Sequence, residues 1–336
     1  MARQGRKATS RLLLDRARGA LVGLAVGDAL GFALEGLKPA AIRRRYGEHH
    51  GRYRFLGRTG YVSDDTEQAV MVARSLLTRG QEAEDFGRRL FRWFLTAPPG
   101  IGRATLRACL LRAVGVKRGT ASAGNGAAMR MAPVGLVDWQ AELVRQNALV
   151  THTDPRAVDG ALVVALAVHR LVRQEAADWP SLSNLLPELD PRLQAAMQQS
   201  WQAAGDDTAA AELGTSGYVL HSVPVAFWAL WRQPPDFLSG LQPLLRQGGD
   251  TDSNAAIAGA LLGASFGFSS IPTELVDRLE PSYSGQLLCG LADALVEGRE
   301  PPPEPSFLSQ RWREAKIKLG VAGHVLGRIA TARPWE

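Results

Sequence analysis

The sequence predicts an all-α protein, a single compact multi-helix bundle, and three observations carry that prediction. Apolar residues recur at the 3.6-residue helical period along most of the chain, and clean alternating strand runs are scarce. Proline clusters at Pro98-Pro99-Gly100, Pro234-Pro235 and Pro301-Pro302-Pro303 punctuate the periodic segments without opening long flexible linkers. Helices are expected over about residues 10–34, 64–79, 83–96, 102–115, 140–150, 155–174, 190–203, 216–231, 236–246, 254–267, 273–279, 284–297 and 310–330.

The elements follow in order. The first helix carries glycines every four residues, at Gly19, Gly23, Gly27 and Gly31, and Gly259, Gly263 and Gly267 repeat the spacing in the helix over 254–267. Positions four apart share a helical face, so each stripe lets another backbone approach closely. A glycine inside a helix costs about 1 kcal/mol against alanine, and close helix crossing is the reason the stripes require. Glu35 continues the first stripe by one more step, at the end of that crossing. The helix over 64–79 places Val70, Ala73, Leu76 and Leu77 on one face, whereas the one over 254–267 is apolar all round and is expected to be buried. Residues 175 to 215 are more polar and irregular and read as a surface helical excursion. Residues 10–297 form the main domain on this reading. Residues 298–336 form a Pro-rich connector and a C-terminal helical extension with a basic face and a terminal Trp335.

Bulk properties narrow the function classes. A chain of 336 residues that is 46% hydrophobic holds ample material for one core. The net charge of +6 rests on 34 Arg and 5 Lys, which favours anionic partners. Their scatter, with a local cluster at Arg43-Arg44-Arg45, argues against a nucleic-acid stripe. Cys109 and Cys289 stand far apart, giving neither a disulfide framework nor a thiolate metal site, and a cytoplasmic home fits. No apolar signal core precedes Asp15. The uncharged stretch 253–273 is long enough to span a bilayer, but its Ala/Gly content and the acids before it favour a buried core helix, so no membrane association is expected.

Two acidic runs carry the chemistry. Ser63-Asp64-Asp65-Thr66 and Gly249-Asp250-Thr251-Asp252-Ser253 each open a strongly apolar helix. A helix N-cap needs one Asp or Ser, so four carboxylates with hydroxyls exceed that need. If the two helix starts converge, the acids repel one another unless a cation neutralises them. Hard oxygen donors suit Mg²⁺, Mn²⁺ or Ca²⁺ and not zinc. A third run, Asp206-Asp207-Thr208, sits in polar sequence with no buried helix behind it.

With these residues in view, the chain resembles the ADP-ribosylglycohydrolase family. The matching pieces occur in order: Gly23-Leu24-Ala25-Val26-Gly27-Asp28-Ala29-Leu30-Gly31 with Glu35 beyond, Ser63-Asp64-Asp65-Thr66, Gly124-Asn125-Gly126-Ala127-Ala128-Met129-Arg130-Met131-Ala132-Pro133, Thr151-His152, Gly217-Tyr218-Val219, and Gly248-Gly249-Asp250-Thr251-Asp252-Ser253-Asn254. The resemblance implies two divalent cations, Mg²⁺ or Mn²⁺, held by Ser63, Asp64, Asp65, Asp250, Asp252 and Ser253, with Glu35 near or at the second ion. Ser63 and Ser253 stand where the family often has Thr, and both keep the hydroxyl oxygen. The resemblance also implies substrate contacts at Gly124, Asn125, Gly126, Met129, His152 and Tyr218. Glycines there allow close backbone approach to phosphate or ribose oxygens.

The implied reaction is hydrolysis of the bond between C1 of the distal ribose of ADP-ribose and an amino-acid side chain. A carboxylate takes the proton of the attacking water, with Glu35, Asp64 and Asp65 as the candidate catalytic residues. The expected partner is an ADP-ribosylated protein or a small ADP-ribosylated compound, handled by a monomer. Arginine is the favoured acceptor, because the Asp-Thr-Asp second motif and the compactness of the chain resemble the reductase-activating branch of the family; serine is the alternative. Two rivals stand beside this reading. A prenyl-diphosphate enzyme needs Asp-Asp-x-x-Asp, and Gln68 occupies the last position here. A metal-dependent ADP-ribose-binding protein without turnover differs only in a turnover assay.

Overall fold

The computed structural model describes residues 2–47, 51–78 and 80–331, with side chains between 10 and 323; Trp335 lies outside the described residues. Sixteen α-helices and a few 3-10 turns make up the described chain, which contains isolated β-bridges but no strand. Every expected helix is present. Three short ones were not expected: α2 (Pro39–Tyr46), α8 (Trp179–Leu185) and α10 (Ala210–Leu213).

The molecule is organised around the crossing of α1 (Ala2–Phe32) and α13 (Thr251–Phe266). A Cβ on Gly19 would lie 2.2 Å from the Gly263 carbonyl oxygen, on Gly23 2.3 Å from that of Gly259, on Gly27 1.9 Å from that of Ala255, and on Gly31 2.5 Å from that of Thr251. One partner number rises as the other falls, so the helices are antiparallel with their backbones in contact. Residues 251–264 of α13 are buried all round, as the pattern required, and no helix among the described residues is long and apolar enough to cross a membrane. The register has a functional consequence. It sets Asp28 and the turn after α1, which carries Glu35, against the first turn of α13 and its acids.

Other helices complete the shell. Beside this pair pack α3 (Asp64–Leu76), α7 (Pro155–Val172), α11 (Val219–Trp231), α12 (Phe237–Gln247) and α15 (Gly285–Glu297), while α4 (Glu82–Phe94) and α5 (Arg103–Ala113) lie outside α3. α6 (Ala141–Leu149) supports α7. The expected surface excursion over 175–215 is corrected by the structure. There α8, α9 (Pro191–Gln202) and α10 send Trp179, Leu182, Leu193, Met197, Ala210 and Leu213 into the main core. Its polar residues are partly helix caps, Asp178 accepting from Ser181 N–H and Asp190 from Arg192 N–H, which is why the segment reads as irregular.

After α14 (Thr273–Asp277) and α15, the proline-rich connector is held by Arg74, which donates to the carbonyls of Pro302 and Pro303 at 2.9 and 3.0 Å. The chain then enters α16 (Phe307–Thr331), whose Arg313 is 5% exposed and whose Ile317 packs on Phe55 and Ala33.

Candidate active site

The two acidic runs converge. Ser63 caps α3 by accepting from Asp65 N–H, and Ser253 in the first turn of α13 donates through Oγ to Asp65 Oδ2 at 3.2 Å. The helix expected from residue 254 starts at Thr251, so Asp252 and Ser253 are inside it and Asp250 is its N-cap residue, with no side-chain capping bond. That leaves the Asp250 carboxylate for other work. Asn125 Nδ2 donates to its Oδ2 at 2.6 Å.

A tight turn brings Glu35 to the same place. Gly248 and Gly249 have φ of 69° and 78°, and the second is bonded both ways to the turn after α1: Gly36 N–H donates to its carbonyl and its own N–H donates to Leu37 O. A side chain at Gly248 would meet Leu37 O at 1.9 Å. Only glycine fits both the positive φ and the contact.

Carboxylate oxygens of Asp28, Asp65 and Asp252 all lie within 4.8 Å of one another, and so do those of Glu35, Asp250 and Asp252. Asp28 is the residue missing from the sequence-based ligand set. It is fully buried and accepts from Ser63 N–H, Thr66 N–H and Thr66 Oγ1, tying the end of α1 to the start of α3. Its signal in the sequence was a charge inside an otherwise apolar helical run.

These acids are held in conditions that disfavour their charge. Burial pushes Asp28 up to about 6 against the hydrogen bonds from Thr66 and Ser63. Burial, then the charges of Asp28, Asp250 and Glu35, pushes Asp64 up to about 7. Asp65 and Asp252 are raised well above the usual carboxylate range, first by burial and then by neighbouring acids. Asp65 Oδ1 and Asp252 Oδ1 are buried with no hydrogen-bond partner. Buried carboxylate oxygens without donors, in two three-acid groups, are a donor set that a hard divalent cation fits.

The acids sit in a cavity of about 680 Å³. Glu35, Ser63, Asp64, Asp250, Asp252 and Ser253 line it, whereas the buried Asp28 and Asp65 are not among its lining residues. Gly124, Asn125, Gly126, Met129 and His152 line it too. Asn125 N–H donates to Gly217 O and Val219 N–H to Ala123 O, which fixes the glycine segment beside the start of α11. Tyr218 is not among the lining residues; its hydroxyl accepts from Arg156, and Gly217 takes its place at the wall. The third acidic run is exposed, with Asp206 forming a turn to Thr208 N–H.

One buried cation organises this wall. Arg130 is fully buried over the Phe86 ring and donates to Gly126 O (2.6 Å), Asn147 O (3.1 Å), Thr151 Oγ1 (2.8 Å) and Gln68 Oε1 (3.3 Å). Gln68 in turn donates to Asp64 Oδ2 at 2.7 Å, so the residue that departs from the prenyl-diphosphate pattern positions a site carboxylate. Thr151 Oγ1 also bonds His152 Nδ1 at 2.7 Å. Burial, helped by the charge of Arg130, pushes His152 down to about 3, so its ring is neutral.

Comparison with known proteins agrees with this architecture. The family model for ADP-ribosylglycohydrolase matches residues 9–305. The ADP-ribosylarginine hydrolase Tri1 of Pseudomonas putida is 30% identical over 300 residues, 83% of this chain and 78% of that one. The ADP-ribosyl-[dinitrogen reductase] glycohydrolase of Rhodospirillum rubrum is 30% identical over 287 residues, 79% and 90% of the two chains. A solved structure described as an ADP-ribosylglycohydrolase-related protein complex superposes with a TM-score of 0.70 at 31% identity, covering 85% of this chain and 99% of that one. The chain belongs to the ADP-ribosylglycohydrolase family and is a hydrolase acting on ADP-ribosylated substrates.

Proposed function

We propose that the protein hydrolyses the N-glycosidic bond between ADP-ribose and arginine, at a site that takes two divalent cations, Mg²⁺ or Mn²⁺. The observation that carries this reading is the pair of three-acid groups, with the buried, unpartnered oxygens of Asp65 and Asp252, beside a cavity that Glu35, Asp250 and Asp252 line and a glycine segment faces. Relatives whose names specify arginine, or the dinitrogen reductase, support the acceptor.

Asp28, Asp65 and Asp252 would hold one cation, and Glu35, Asp250 and Asp252 the other, with Asp64, Ser63 and Ser253 completing the oxygen donors. Bound there, such ions supply Lewis acidity, an acidified water and anchorage for vicinal ribose hydroxyls. The chain's own residues do the rest. Gly124, Asn125 and Gly126 let the nucleotide approach the backbone, and neutral His152 offers a ring nitrogen beside them. Gln68 fixes the orientation of Asp64. Glu35 lines the cavity and is the most exposed of the acids, which favours it over Asp64 and Asp65 as the group that would accept a proton from water attacking the anomeric carbon as positive charge develops there. Two free cysteines, of which Cys109 is buried, fit a reducing cytoplasmic setting.

The test is release of ADP-ribose from ADP-ribosylated arginine and serine substrates with Mg²⁺ or Mn²⁺, together with calorimetric cation uptake by the native protein and by Asp252→Ala. Arginine turnover and cation uptake, both lost in the variant, are expected. Binding of ADP-ribose without release of product from either substrate would replace hydrolysis by the binding-protein alternative.

A further inference from the structure

One wall of the cavity holds more acid than its own cation satisfies. Arg313 of α16 spends all five N–H donors inside the protein: Nε and Nη2 on the two Glu280 oxygens at 2.7 and 2.6 Å, Nη2 also on Val62 O at 2.7 Å, and Nη1 on Glu314 Oε1 at 2.8 Å and on Glu67 Oε1. Glu67 Oε2 accepts from the Trp93 indole, and Glu280 Oε1 also accepts from Val62 N–H. Three carboxylates therefore surround one saturated guanidinium. A single acceptor is left over. Glu314 Oε2, on a residue only 2% exposed, has no hydrogen-bond partner.

Position gives this orphan a meaning. Glu67, Arg313 and Glu314 line the same cavity as the site acids. They lie on the flank of α3, where Glu67 follows one turn after Ser63 and Asp64, whereas Asn125 and Gly217 adjoin Asp250 on the other flank. The glycine flank suits the nucleotide, and of the walls that remain, residues 99–105 and the α16 flank, the second carries the carboxylates that suit a cationic leaving group. Phe32, Ile317 and Val321 line the cavity there and offer apolar surface to a methylene stem. This helix begins at Phe307, beyond the family match that ends at residue 305.

We propose that Glu314 determines acceptor specificity by accepting a hydrogen bond at Oε2 from the guanidinium of the ADP-ribosylated arginine. The assignment rests on the hydrolase reading given above. An arginine linked through one nitrogen keeps its charge and further N–H donors, whereas a serine linked through its oxygen has lost its only side-chain donor. A carboxylate oxygen buried beside the leaving group therefore separates the two substrates.

Glu314→Gln tests this. Arg313 requires an acceptor, so the amide oxygen faces it and the NH₂ group replaces Oε2, setting donor against donor. Kinetics on ADP-ribosylarginine and ADP-ribosylserine peptides are measured beside inhibition by free ADP-ribose. A fall of about 10–100-fold in kcat/KM for the arginine peptide is expected, the value of a hydrogen bond to a charged group. ADP-ribose inhibition should stay within about twofold, which also reports a folded site. If that variant does not fold, Glu314→Asp, which withdraws both oxygens by one methylene, is expected to give the same pattern. An unchanged arginine kcat/KM overturns the proposal. So does a parallel fall in ADP-ribose inhibition, which would place the nucleotide on this flank, or an equal fall on both peptides. Absence of turnover by the native protein on every ADP-ribosylated substrate overturns instead the reading beneath it.

Discussion

Replacing Gly27 by alanine should destabilise the protein, against the intrinsic preference of a helix for alanine. The new Cβ would sit 1.9 Å from Ala255 O and 2.6 Å from its carbonyl carbon. A carbon and a carbonyl oxygen rest at roughly 3.4 Å, so α1 and α13 must part by roughly 1.5 Å at this level. Both obstacles are backbone, and no rotamer change relieves the clash. Overpacking costs about 1–3 kcal/mol, here at the upper end, and alanine's helix propensity returns about 1 kcal/mol, leaving a net loss of about 2 kcal/mol. For a chain of 336 residues that lowers Tm by about 3 °C. The displacement is also adjacent to Asp28, and one turn from Gly31, whose own missing Cβ faces Asp252 Cα at 2.6 Å. Divalent-cation affinity should therefore fall, by about 10–100-fold as for losses among groups that support metal ligands. Thermal unfolding in chelator and calorimetric titration with Mn²⁺ measure the two effects. Gly323→Ala is the control: the space there is open, and the same substitution should be neutral or stabilising by up to about 1 kcal/mol. A Gly27→Ala protein that unfolds at or above the native temperature with unchanged cation affinity would refute backbone contact as the device that sets the site.

Two further outcomes follow from the buried charges. In chelator, Asp28 and Asp64, raised to about 6 and about 7, hold protons more tightly folded than unfolded. Their stabilisation is complete below pH about 4 and is lost as pH rises through 6 and 7, roughly 3 kcal/mol for Asp28 alone, and saturating Mn²⁺ should remove that loss in Tm scans against pH. Arg130→Met should cost about 3 kcal/mol or more in denaturant unfolding, because Gly126 O and Thr151 Oγ1 lose their buried donor, and the released glycine segment should also weaken ADP-ribose inhibition.

The helical frame was legible because its signals are local. Apolar periodicity located every long helix, and the spacing of Gly19, Gly23, Gly27 and Gly31 announced a backbone contact whose partner carries the same spacing. The segment around Trp179 and Leu193 was misjudged because capping residues dilute the apolar pattern that its inward faces still carry. Long-range charge compensation left weaker traces. Asp28 stands alone in an apolar helix, and its duty becomes evident only when Ser63 and Thr66 arrive from another helix. Arg313 and Glu314 lie in a polar stretch that reads as a solvated extension. Nothing local reveals that Glu67 and Glu280, more than 30 residues away, bury them.

The charge at the site explains why cations belong to its design and why two are proposed. Asp28, Asp64, Asp65, Asp250 and Asp252, with Glu35 at the rim, would carry six negative charges if all were ionised. The starts of α3 and α13 each offer about half a positive charge, and the end of α1 returns about half a negative one, so helix dipoles balance roughly a twelfth of that total. Arg130 acts on Asp64 through its charge and through the Gln68 amide, and makes no hydrogen bond to any of the six acids among the described residues. Without cations, burial and mutual repulsion raise Asp28 and Asp64 and so favour partial protonation of the cluster. A protonated cluster, however, is a poor base and a poor anchor for ribose hydroxyls. One divalent cation would leave about four charges facing one another in a buried space; two reduce the residue to about two, with Glu35 at the solvent edge, where a carboxylate can stay ionised and still receive a proton.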